Sequence, residues 1–251
     1  MTSPAVKNKR KNGPERSSTM LQNTDRPVIA LDIDGTLGDY HGHFLRFAEQ
    51  WYGREMPNPS DINPGLPLHK FMGTSKSTYR ECKLAYRQGG MKRSMPVYHG
   101  VSELIKFFRH SLKAEVWICT TRPYLRLDNI DPDTRHWLRR NKIQYDGVIW
   151  GPHKYRDLAK KVGLDRIALV LDDEIRLAEQ ARDIGVKNVY LREQPYNVFK
   201  RQDTGEYDPN LLKQNGIIRL PSDSIRRQGT FSTYALWDVE EANGENVIRP
   251  W

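Results

Sequence analysis

Two acidic pairs in this chain are spaced so that they could share one task. The first is Asp32-Ile33-Asp34, followed by Gly35 and Thr36, and the second is Asp172-Asp173. Each pair closes an apolar run, Val28 to Leu31 in one case and Ala168 to Leu171 in the other. A single Asp after a strand is most simply a cap for the next turn. Two acidic clusters brought to neighbouring strand ends are harder to explain that way, because gathered carboxylates repel unless a cation joins them. Hard oxygen ligands suit Mg²⁺. Gly35 permits a sharp departure of the chain, and Thr36 is expected to hydrogen-bond locally and hold that loop.

Further polar groups follow the same logic. The run Cys119-Thr120-Thr121-Arg122-Pro123 ends another apolar stretch with two hydroxyls and a guanidinium, groups able to hold phosphate oxygens. Lys154 opens a helical stripe, where it could balance the acids or grip a phosphate. His41 and His43 lack the cysteine or acidic spacing of a zinc site and read as a surface pair. Asp131 and Asp133 read as helix-capping residues, with Asp131 the N-cap and Pro132 at the first helical position.

The elements that must position these groups alternate from Pro27 onward between short apolar runs and amphipathic ones, the pattern of an α/β domain with a parallel sheet. Strands are expected at Val28 to Leu31, Val116 to Cys119, Gly147 to Trp150, Ile167 to Leu171 and Val186 to Leu191. Helices fall between them. In the order 3-2-1-4-5 the first and fourth strands are neighbours, so the two acidic clusters meet beyond their carboxyl ends. Residues 40–96 are too long for a loop and read as a small helical cap inserted after the first strand. The core then comprises 27–39 and 97–195. Residues 1–26 are expected to be a disordered basic tail, and 196–251 an extension of unassigned role.

The formal net charge is +9. Residues 40–95 hold nine Lys/Arg against four Asp/Glu, an excess of five, so this segment is expected to face an anion. No apolar run is long enough for a membrane span, and the first residues are polar and basic, which suggests a cytoplasmic protein with no membrane partner. Only two cysteines, Cys82 and Cys119, occur. No disulfide framework is expected.

Taken in order, Asp32 to Thr36, the strand ending in Thr120, Lys154 and Asp172-Asp173 resemble the four motifs of the haloacid-dehalogenase-like phosphotransfer enzymes. The resemblance covers about residues 27–192. It implies a Rossmann-like sheet and Mg²⁺-dependent phosphomonoester hydrolysis, with Asp32 attacking phosphorus and Asp34 protonating the leaving oxygen. Thr120 and Lys154 would stabilise phosphate oxygens. Metal ligands would come from Asp32, Asp172, Asp173 and the backbone carbonyl of Asp34, with Asp173 favoured over Asp172 as the direct ligand. Among these enzymes the chain is most similar to the 5′(3′)-deoxyribonucleotidases, through Asp39-Tyr40 and Val116 to Thr121. That likeness implies a nucleotide substrate, with Tyr40 and Phe71 on the base and Thr121 on the phosphate, and Arg122 joins the substrate-binding set. Phe71 as a core residue of the cap is an equal alternative. Two other readings stay open: a phosphatase of polynucleotide ends, favoured by the basic cap and tail, and a non-catalytic nucleic-acid-binding protein on a phosphatase scaffold.

Overall fold

A computed structural model describes residues 25–62, 64, 66–197 and 216–220. Six strands form one sheet: β1 (Val28–Leu31), β2 (Glu115–Thr120), β3 (Gly147–Trp150), β4 (Ile167–Asp172), β5 (Val189–Arg192) and β6 (Ile217–Leu220). Their order is β3-β2-β1-β4-β5-β6, and every pairing is parallel. The expected order of the first five strands holds, and β6 extends the sheet from a region for which no element was expected. Its Ile217 and Leu220 are buried, so it behaves as a covered strand and not as a loose end. Residues 1–24 of the expected tail and most of 196–251 lie outside the described residues, and Arg26, at the end of that tail, is tied to the core by donating to Lys113 O and Ala114 O, each at 2.8 Å.

Strand alternation splits the core in two. Ile29, Leu31, Val116, Ile118, Leu169 and Leu171 face one side of the sheet. There they meet α4 (Val101–Lys106), with the π-helical turn that follows it, and α5 (Ile130–Arg140). Val28, Ala30, Trp117, Cys119 and Val170 face the other side, under α6 (Lys154–Val162) and α7 (Ile175–Asp183). Both cysteines are buried and free.

The chain between β1 and α4 is mostly helical. It contains α1 (Tyr40–Tyr52), the single turn α2 (Leu68–Phe71), α3 (Lys76–Gln88) and short 3-10 turns at Pro59–Asp61 and Met91–Ser94. Asp39 caps α1 through Gly42 N at 2.9 Å, and Ser75 caps α3 through Thr78 N at 3.1 Å. This insertion docks on α5: Trp137 Nε1 donates to Met95 O at 2.6 Å, and Asn129 Nδ2 donates to Arg87 O at 2.7 Å. One expectation fails at α5. The helix begins at Ile130 without a side-chain cap, and the two aspartates pair with arginines instead, Asp131 with Arg122 and Asp133 with Arg93, each at 2.6 Å.

Candidate active site

The carboxyl ends of β1 and β4 meet as neighbours, and the Asp32 N–H donates to Leu171 O at 3.0 Å to join them. Carboxylate oxygens of Asp32, Asp172 and Asp173 consequently lie within 4.8 Å of one another, all three buried. Lys154, at the first position of α6 and fully buried, sits against Asp32 and is 2.8 Å from Asp172 Oδ2. One ammonium stands against three clustered, buried carboxylates. Burial pushes the Asp32 carboxyl up to about 7, with Asp172 and Asp34 adding to the rise and Lys154 opposing it. This all-oxygen, anionic donor set fits a hard divalent cation.

The two acids of β4 meet different partners because successive side chains leave a strand on opposite faces. Asp172 accepts from Tyr155 OH at 2.5 Å and from Glu174 N at 2.8 Å, besides its pair with Lys154. Asp173 accepts from Thr36 Oγ1 at 2.9 Å and from Tyr196 OH. Thr36 was expected to bond locally. It reaches across to the other acidic loop instead, because Gly35, at φ +87°, turns the chain tightly against Asp173. A Cβ at Gly35 would collide with Asp173 Oδ2 and Tyr196 OH.

Asp34 stands apart from this cluster. Its carboxylate faces the insertion, where Arg87 Nη2 lies at 2.9 Å and Lys92 Nζ at 2.8 Å. Burial alone would raise this carboxyl, but Lys92 and Arg87 outweigh it and hold Asp34 well below the usual carboxylate range. Neither cation was singled out in the sequence. The charge excess of residues 40–95 was the available signal, and the anion facing these two is a carboxylate of the core itself.

A cleft of about 430 Å³ opens over these groups, lined on the core side by Asp32, Asp34, Thr121, Asp172 and Asp173 and on the insertion side by Tyr40, His41, Leu68, Tyr79, Lys83 and Arg87. Thr120, the last residue of β2, is buried and is not in the cleft lining, which its neighbour Thr121 joins. Three residues assigned to the substrate from sequence are placed as follows. Arg122 gives its hydrogen bonds to its own loop, to Asp131 Oδ1 at 2.6 Å, Leu125 O at 2.8 Å and Leu127 O at 3.1 Å, and is absent from the cleft lining. Tyr40 lines the cleft, and its ring stacks on Phe44 at 5.8 Å and carries the Arg87 guanidinium at 4.9 Å. Phe71 packs half-buried against the core of the insertion, the second of the two readings given to it. The histidines are half-buried as well. His41 lies 4.3 Å from the Tyr196 ring and His43 bonds Tyr86 OH at 2.8 Å, and burial with the nearby Lys83 pulls His41 down to about 4.

The fold recurs in solved structures. A haloacid-dehalogenase-family hydrolase from Deinococcus radiodurans, solved with bound phosphate and sodium, superposes with a TM-score of 0.56 over 89% of this chain and 99% of that one, at 12% identity. The fold is haloacid-dehalogenase-like. Protein tyrosine kinase A from Mycobacterium tuberculosis shares it as well, with a TM-score of 0.52 over 88% of this chain and 99% of that one, at 15% identity. No family model matches the chain, and no curated protein matches its sequence. The haloacid-dehalogenase-like fold accounts for the meeting of the acidic loops, since its parallel sheet brings β1 and β4 together. Among the described residues, no helix is long and apolar enough to cross a membrane.

Proposed function

We propose that the protein hydrolyses phosphomonoesters through an aspartyl phosphate on Asp32. The observation that carries this reading is the convergence of Asp32, Asp172 and Asp173 in the lining of one cleft, with the buried Lys154 against Asp32 and Asp172. An Asp32 oxygen attacks phosphorus as the bond to the leaving oxygen breaks, and that oxygen takes a proton from Asp34. Water then attacks the same phosphorus, Asp34 takes the proton back, and the bond to Asp32 breaks. Lys154 and the Thr120-Thr121 hydroxyls are assigned to the phosphate oxygens. Asp32, Asp172, Asp173 and the Asp34 carbonyl would hold Mg²⁺, which would offset charge on the phosphate. Asp34 is ionised at rest, so before it donates it must take up a proton as it parts from Arg87 and Lys92, for which an incoming phosphate dianion competes.

The finer reading is a nucleoside monophosphate. Residues 40–96 act as the cap in this proposal and supply the leaving-group side of the cleft. Tyr79 and Leu68 offer it an apolar wall, and Lys83, 5.8 Å above the Tyr79 ring, offers it a cation. The cleft volume is in the range that encloses a small molecule, which favours a mononucleotide over a polynucleotide end. Phosphate release from a panel of nucleoside monophosphates, sugar phosphates and end-phosphorylated oligonucleotides, with and without Mg²⁺, tests both levels. No release from any of them refutes the phosphatase reading, and preference for sugar phosphates refutes the nucleotide one.

A further inference from the structure

Lys154 pairs with Asp32 and Asp172, whereas Asp173 has no cationic partner among the described residues. Its two carboxylate oxygens are held by neutral hydroxyls, Thr36 Oγ1 on Oδ1 and Tyr196 OH on Oδ2. Such donors fix a carboxylate in place without seating a lysine or arginine on the same oxygens, where it would compete with a cation.

Tyr196 belongs to the turn that leaves β5, and its neighbours tie that turn to both acidic loops. Asn197 Nδ2 donates to Asp173 O at 2.7 Å and to Arg192 O at 2.9 Å. Gln194 Nε2 donates to Gly35 O at 2.6 Å and to Tyr98 OH at 3.2 Å, and Arg192 Nη1 donates to Thr36 O. The turn is closed on itself by Gln194 N donating to Asn197 Oδ1 at 3.0 Å and by Asn197 N donating to Gln194 O at 2.9 Å. Arg219 of β6 donates to Asn197 O, which anchors it to the added strand. Arg192, Gln194 and Asn197 are all buried, so these bonds exchange little with water. Burying these polar side chains costs desolvation, which their hydrogen bonds to three backbone carbonyls of two loops offset, and a satisfied buried network of this kind is rigid.

We propose that residues 192–197 are a strap that sets Asp173 as a cation ligand, with Tyr196 as the positioning residue. The strap joins the β1 loop at Gly35 and Thr36 to the β4 loop at Asp173, so the spacing of the carboxylates is held before a cation arrives. This inference rests on the cation site of the proposed function, and the test separates the two. Binding of Mn²⁺ alone to the full chain, followed by loss of the free-ion electron paramagnetic resonance signal with Mg²⁺ as competitor, is compared for wild type, Tyr196→Phe and Asp173→Ala. The expected result is that Tyr196→Phe weakens Mn²⁺ binding about 10-fold or more, within the usual range for outer partners of a metal ligand. Its thermal midpoint should stay within about 2 °C of wild type in the absence of metal, and Asp173→Ala should abolish binding. Wild-type affinity in Tyr196→Phe, with binding lost in Asp173→Ala, overturns the strap and leaves the cation site standing. Unchanged binding in Asp173→Ala, or none in wild type, overturns the cation site and the strap with it. Should Tyr196→Phe misfold, Gln194→Ala loosens the strap from its Gly35 end. Undiminished Mn²⁺ affinity there overturns the inference equally.

Discussion

Asp32 and Asp34 stand two positions apart and meet opposite surroundings, one beside two other carboxylates and the other between two cations. Asp32→Asn keeps the shape but removes the nucleophile in the proposed reaction. Turnover should fall at least about a hundredfold with an unchanged circular dichroism spectrum, and retention of more would remove Asp32 from that role. The raised Asp32 also makes cation binding depend on pH. Folded metal-free protein keeps a proton on Asp32 from the ordinary carboxylate range up to about 7, so this group destabilises the fold as pH rises through that window. A cation must displace that proton. The rise in thermal midpoint caused by a fixed Mg²⁺ concentration should therefore be larger at pH 8 than at pH 6. A smaller rise at pH 8 would contradict the placement of Asp32 in the cation site.

At the scale of elements, the insertion meets the core through charge as well as packing. Arg87 ends α3 and Lys92 lies in the 3-10 turn after it, and the bond from Asn129 to Arg87 O fixes the junction. Because Asp34 is held below the usual carboxylate range, its contribution to stability is present above that range and disappears as pH falls through its lowered value. Asp34→Asn leaves two buried cations without their counter-charge. Its cost at pH 7 should be of order 2–3 kcal/mol, below the roughly 3–5 of a fully buried pair because Asp34 keeps some exposure. Urea unfolding should show the gap from wild type narrowing between pH 5 and pH 2; a constant gap would mean that the pairs contribute nothing. The same helix supplies Tyr79. If a base lies on that ring, Tyr79→Ala should lower kcat/KM for nucleoside monophosphates about 10-fold or more beyond any loss on p-nitrophenyl phosphate, in keeping with about 1–3 kcal/mol per stacked base. Equal losses on both would make Tyr79 a support of the insertion only.

Over the whole molecule, the charge of +9 attracts any anion and selects none. Turnover of a mononucleotide should change only a few-fold between about 50 and 200 mM salt, whereas a polynucleotide partner would lose orders of magnitude over that interval. A steep loss on oligonucleotides combined with faster turnover of them would favour the polynucleotide-end reading. Five strands and their order were legible because strand runs and acidic ends are local patterns, and a parallel sheet with helical crossovers leaves few orders to choose from. The meeting of Asp32 with Asp172 and Asp173 followed from that order alone. The partners of long polar side chains did not. Arg87 and Lys92 reach Asp34 across 53 and 58 residues, and Tyr196 reaches Asp173 across 23, distances at which no periodicity links the two ends. The same holds for Arg122, Tyr40 and Phe71, whose side chains could point to a ligand or to packing with equal local plausibility. The sequence by itself determined where the carboxylates gather, because backbone hydrogen bonding aligns strand ends. Only the tertiary structure decided which of them is paired with cations and which is held by neutral hydroxyls, because that choice depends on how the insertion and the β5 turn pack over them.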